Sequence, residues 1–183
     1  MWRRVLAVAG VVELVVAGVA IARGGGDAKG VASVSATFSA APTGTVDTRT
    51  CTSSAGKRIA VTHAAYAGVA TGSPDLSGTV TIETQSTIDT SDGIGIVRGT
   101  LGIGASPSRA HARLTAVYDH GSLAGTLTGR AAKGVQLLGN VSSGFSAAGG
   151  FASGRIGTGA ATAPAVELAA GSCARGARPA LGR

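Results

Sequence analysis

Large aromatic side chains are scarce in this chain: Trp2 is its one tryptophan, and Phe38, Phe145, Phe151, Tyr66 and Tyr118 make up the rest. That scarcity argues against carbohydrate recognition by ring stacking, and against single-stranded nucleic-acid binding, which needs stacking platforms. A core must then be built mainly from valine, isoleucine, leucine and alanine. No G-x-G-x-x-G and no phosphate-binding loop occurs, which removes support for nucleotide binding. There is no C-x-x-C pair and no histidine-rich tract to hold zinc. Helical periodicity is missing beyond the first segment, so helical bundles and α/β folds have no footing.

What the sequence does have begins at its N-terminus. Met1-Trp2-Arg3-Arg4 is a short basic stretch, and Val5 to Ile21 is apolar apart from Glu13. Ala20-Ile21-Ala22 supplies the small-x-small pattern of a signal-peptidase site, so residues 1–22 read as a secretory signal. The alternative is a retained single-pass anchor at residues 5–21, about the shortest length that spans a bilayer. Glu13 counts more heavily against a permanent span than against a transient signal. Arg3-Arg4 resembles a twin-arginine signal only faintly. No cysteine follows the apolar run closely, which argues against a lipid anchor. About 160 residues then remain, one ordinary domain. The expected location is secreted or within the extracytoplasmic envelope.

The net charge of +7 invites a nucleic-acid reading. Its distribution opposes that reading. Between Cys51 and Cys173, Lys57, Arg58, Arg98, Arg109, Arg113, Arg130, Lys133 and Arg155 stand against Asp75, Glu83, Asp89, Asp92, Asp119 and Glu167, close to balance. Arg175, Arg178 and Arg183 put much of the excess into a basic tail, 174–183, read as disordered. No nucleic-acid partner is expected. The membrane enters only through an uncleaved signal segment or through that tail.

Two cysteines in an exported chain allow one pairing, Cys51 with Cys173. Such a bond would close a loop worth about 4–5 kcal/mol as an upper figure in the chain-entropy model. Free or metal-bound thiols are the alternative.

Residues 23–50, rich in Gly, Ala, Ser and Thr, read as a flexible linker or arm. From 57 to 170 the dominant period is two, the strand signature. Strands are expected over 57–64, 76–83, 94–104, 110–118, 123–129, 135–140, 151–156 and 165–168. Ser73-Pro74-Asp75, Asp92-Gly93 and His120-Gly121 mark turns. In Gly78-Thr79-Val80, Gly99-Thr100-Leu101 and Gly125-Thr126-Leu127 a glycine enters a strand, as where a small barrel turns a corner. The fold expected is an all-β antiparallel barrel of about eight strands over 51–173, with a β-sandwich as the alternative.

Over that region Cys51, Val61-Thr62-His63, Gly99-Thr100-Leu101, Gly125-Thr126-Leu127 and Gly171-Ser172-Cys173 carry a resemblance. The chain resembles uncharacterised exported β-barrel-like proteins of high-GC bacteria. In outline it is similar to calycin-like and cyclase-like small barrels. The resemblance implies a shape and no activity, because fold does not carry function.

Candidate chemistry is thin. Ser54-Ala55-Gly56-Lys57 has S-x-x-K spacing, but the serine and lysine need one helical turn between them and a glycine interrupts here. Gly144-Phe145-Ser146-Ala147-Ala148 misses the nucleophile elbow at its last residue. Asp89-Thr90-Ser91-Asp92-Gly93 could offer oxygens to calcium but reads more simply as turn chemistry. Asn140-Val141-Ser142 is a glycosylation sequon by pattern. Three histidines remain: His63 and His111 mid-strand, and His120 beside Asp119. If His63 and His111 entered one barrel mouth with Asp119 to orient them, a general acid–base site would result. The reading from sequence is a monomeric, non-enzymatic exported module that needs no cofactor and no metal. It would be structural, or would bind an envelope component or a small apolar ligand inside the barrel. The alternative is a small barrel isomerase or hydrolase using His63, His111 and Asp119.

Overall fold

A computed structural model describes residues 33–105, 109–131 and 134–157. Alternation of β-branched, threonine and alanine residues gives nine strands: β1 (Ser35–Pro42), β2 (Asp47–Thr52), β3 (Arg58–Gly72), β4 (Gly78–Asp89), β5 (Ile94–Ile103), β6 (Ala110–Asp119), β7 (Ser122–Arg130), β8 (Gln136–Ser146) and β9 (Gly150–Gly157). One short 3-10 turn, Pro74–Leu76, carries the chain from β3 to β4 and buries Leu76. From β3 to β9 each strand pairs antiparallel with the next. β1 pairs with β9 on one side and with the second half of β3 on the other. That double pairing closes an eight-stranded barrel, and the sandwich alternative falls away. β2 is the additional strand, lying along the first half of β3 with Asp47 opposite His63 and Thr52 opposite Arg58.

The expected boundaries need three corrections. Residues 33–50 are not an arm, because β1 and most of β2 lie there and β1 closes the barrel. Small Gly/Ala/Ser/Thr residues read as linker because they lack bulk, yet Ala36, Phe38 and Ala40 alternate inward with Thr37, Ser39 and Ala41 outward. The barrel therefore begins at Ser35 rather than at Cys51, and Cys51 sits inside β2 instead of preceding the first strand. The signal at 1–22, the candidate strand at 165–168, Cys173 and the tail 174–183 lie outside the described residues.

Inward positions form the core. Val80, Ile82, Val97, Leu101, Ile103, Leu114, Leu123, Leu127, Leu137, Val141 and Ile156 fill it together with the aromatics. All five phenylalanine and tyrosine rings meet in a single cluster. Phe145 lies 4.8 Å from Phe151, 6.1 Å from Tyr118 and 6.2 Å from Tyr66, ring centre to ring centre. Tyr66 stands edge-on to Phe151 at 5.1 Å, and Phe38 packs on Phe151 at 6.0 Å. Each edge-to-face contact adds roughly 0.5–1.5 kcal/mol beyond the burial of area. The Tyr66 hydroxyl, taken out of water, donates to the carbonyl oxygen of Ala147 at 3.0 Å.

A bulge in β9 keeps the inward set in phase. Ser142 faces Arg155 but Gly144 faces Ala152, so β9 carries one residue more than β8 across that step. Ser153 takes φ +50° there, and the Ser143 hydroxyl binds the carbonyls of Gly144 and Ala152. With strict alternation, Phe151 and Ile156 would point to opposite faces. The bulge lets both point in.

Strand glycines make the curvature. A Cβ on Gly99 would fall 2.0 Å from the carbonyl oxygen of Glu83, and one on Gly125 would fall 2.2 Å from that of Thr115. At these points one strand coils directly over the backbone of its neighbour, so no side chain fits. The Gly99-Thr100-Leu101 and Gly125-Thr126-Leu127 phrases are therefore equivalent corners on β5 and β7, each followed by a buried leucine. Gly78 differs: it starts β4 at φ +118° and belongs to the turn.

Candidate functional site

His63 and His111 are both exposed on the outer face of the barrel. The register runs His63–Gln85–Arg98–Thr115, and His111 lies four residues before Thr115 on β6. Three strand steps and four residues separate the two imidazoles by roughly 20 Å along the sheet. Asp119 is eight residues from His111 on the same strand, about 25 Å away. The convergence that a histidine–aspartate acid–base site requires is not present.

Asp119 instead partners its neighbour. His120 Nδ1 and the Asp119 carboxylate meet in an exposed contact at the β6–β7 hairpin. His120 and Gly121 both have positive φ, the geometry of a two-residue type I′ turn. The His120 amide donates to the Gly93 carbonyl at 2.8 Å, so this hairpin leans on the β4–β5 hairpin.

The β4–β5 hairpin accounts for its own carboxylates. Asp89 Oδ1 accepts the amides of Ser91, at 2.8 Å, and Asp92, at 3.3 Å. Both oxygens of Asp92 take Lys57 Nζ at 2.8 Å. These pairings leave the calcium reading of 89–93 without support, and among the described residues no three His, Cys, Asp or Glu side chains cluster for a metal. Lys57, its pKa raised by the hydrogen bond and charge of Asp92, is thus part of an ion pair. The Ser54–Lys57 spacing belongs to the β2–β3 turn, where Gly56 has φ +75°. Ser146 ends β8, beside the buried Phe145. Asn140 and Ser142 lie within β8, paired to β7 and β9.

The most concave described feature is on the outside. A groove of about 540 Å³ crosses β4, β5 and β6, lined by Glu83, Gln85, Arg98, Thr100, Arg113 and Thr115, with Gly99 and Leu114 at its floor. The register sets its layout: Glu83–Thr100–Arg113 form one row and Gln85–Arg98–Thr115 the next. Arg98 and Arg113 are diagonal neighbours on adjacent strands, within reach of one ligand group. Among the described residues no ion pair joins Glu83 to either arginine, and none of these polar side chains is hydrogen-bonded to another residue. Beside the groove, Arg109 covers Gly102 and donates to the Thr81 hydroxyl. Sequence reasoning missed this grouping. Its signal was the run of outward polar residues at every second position of β4, β5 and β6, which shows a face but not which rows align across it.

Compared with family models, curated proteins and solved structures, the chain matches none.

Proposed function

We propose that this protein is an exported, non-enzymatic module of the cell envelope or extracellular space, a rigid barrel whose outer face does the binding. The observation that carries this reading is the filled interior. Aromatic and aliphatic side chains occupy the place where a ligand-carrying barrel would hold its cargo, with Leu76, Val80, Val97 and Leu127 at 0% exposure. The inside therefore serves stability, and the polar outside is left for recognition. That outer face carries Glu83, Arg98, Arg113, Arg130 and many threonines at mid-strand, the reverse of the apolar belt of a membrane-spanning barrel. The separation of His63, His111 and Asp119 disfavours the enzymatic alternative.

Export rests on residues 1–22, with cleavage after Ala22. In the oxidising compartment beyond, Cys51 pairs with Cys173 and ties the C-terminal segment to β2. Native mass spectrometry of the protein recovered without reductant from an exporting host tests these points together. The expected mass starts at Arg23 and is lighter by two hydrogens than the reduced chain. A full-length mass with free thiols would overturn both export by cleavage and the disulfide. A tightly retained apolar ligand would overturn the filled-barrel reading.

A further inference from the structure

The geometry points to the β4–β5–β6 groove as a binding site for a small hydroxylated anion, a sugar acid or sugar phosphate of one or two rings. This deepens the binding-module reading and rests on it. The groove volume, about 540 Å³, lies in the range of small-molecule sites. Its lining divides by chemistry. Arg98 and Arg113 present two guanidinium forks from adjacent strands, and such forks match the planar or tetrahedral oxygens of carboxylate and phosphate. Glu83 and Gln85 add acceptors at the β4 side, and Thr100 and Thr115 add hydroxyls between the arginines. Acceptors that stand apart from the arginines suit the hydroxyl groups of the same ligand.

The contrast with the rest of the surface is what singles this place out. At the hairpin end, Lys57, Asp89, Asp92, Asp119 and His120 are already engaged with partners in the fold. In the groove, acids and bases face one space without pairing, on a rigid sheet floor of Gly99 and Leu114. A side chain at Gly99 is excluded by the Glu83 carbonyl, so the strands come together there and the floor is fixed before any ligand arrives. No aromatic ring lines the groove, so binding depends on charge and hydrogen bonds, and affinity is weak and sensitive to salt.

The test is an amide chemical-shift titration of the full exported chain at low ionic strength with glucose 6-phosphate, galacturonate, glucose, acetate and inorganic phosphate. The expected result is saturable shifts at residues 83, 85, 98–100 and 113–115 with the anionic sugars, stronger than with acetate or phosphate and absent with glucose. Which anionic sugar binds more tightly identifies the phosphate or the carboxylate source. R98A/R113A should weaken binding by about tenfold, the cost of one lost charged contact. Its unchanged spectrum elsewhere would show that the barrel is intact. The proposal is overturned if glucose shifts the same amides equally, if acetate and phosphate match the sugars, if the shifts fall elsewhere, or if R98A/R113A titrates like the parent. None of these outcomes bears on export or the disulfide, which the mass measurement reads separately.

Discussion

Phe145 touches three of the other four aromatic rings, so it is the residue on which the core most depends. Phe145→Ala would leave a ring-sized cavity between Tyr66, Tyr118 and Phe151. The expected loss is about 3–5 kcal/mol, read from urea unfolding. Gly125 is constrained in the opposite way. Its missing Cβ would overlap the Thr115 carbonyl, so Gly125→Ala should cost about 1–3 kcal/mol through overpacking. Gly44 has open space around it and no positive φ, and Gly44→Ala is expected to be neutral or slightly stabilising by the same assay. The sequence showed that glycines entered strands and that corners were a reason. It did not show that Gly99 and Gly125 are equivalent while Gly78 is not, because that depends on which neighbouring carbonyl lies beneath each one.

Hairpins determine how the outer face is arranged. The Thr90–Gly93 turn fixes Glu83 opposite Thr100, and the β5–β6 connection fixes Thr100 opposite Arg113. Strand and turn positions were legible from alternation and from Asp92-Gly93 and His120-Gly121. The rows across strands were not, since a shift of register would leave each strand's own pattern unchanged. The histidines failed to converge for the same reason: period two told that His63 and His111 shared faces with polar residues, not how far apart the strands would carry them. The β4–β5 hairpin also leads to a pH expectation. Asp92 raises the pKa of Lys57, and burial raises that of Tyr66, above ordinary values of 10.5 and 10.0. In both cases the fold holds the proton more tightly than the unfolded chain, so stability is complete at neutral pH and falls as pH rises above about 10. Tyr66→Phe should lose about 1 kcal/mol at pH 7 with the hydrogen bond to Ala147, yet decline less steeply above pH 10. Thermal melts from pH 7 to 11 check both parts. Asp92→Asn should leave the neutral-pH melting point almost unchanged, since Lys57 and Asp92 are both exposed to solvent.

At the scale of the molecule, the all-β class and the barrel were readable from regular short strands, and the point of closure was not. β1 is a small-residue strand whose single large side chain, Phe38, is its only conspicuous core signal. Its role becomes visible only once β9 and β3 stand on either side of it. If Cys51 and Cys173 are joined, reduction should lower stability by up to about 4–5 kcal/mol and leave the barrel folded, because the described strands pair without it. The central claim is a closed, filled barrel that begins at Ser35, and amide hydrogen exchange of the full chain tests it most directly. The account predicts that amides of Ala36–Ala41 exchange as slowly as their partners in β3 and β9, opening only with global unfolding. Rapid exchange confined to β1, with β3 to β9 protected, would mean an open sheet with a loose arm and would contradict it.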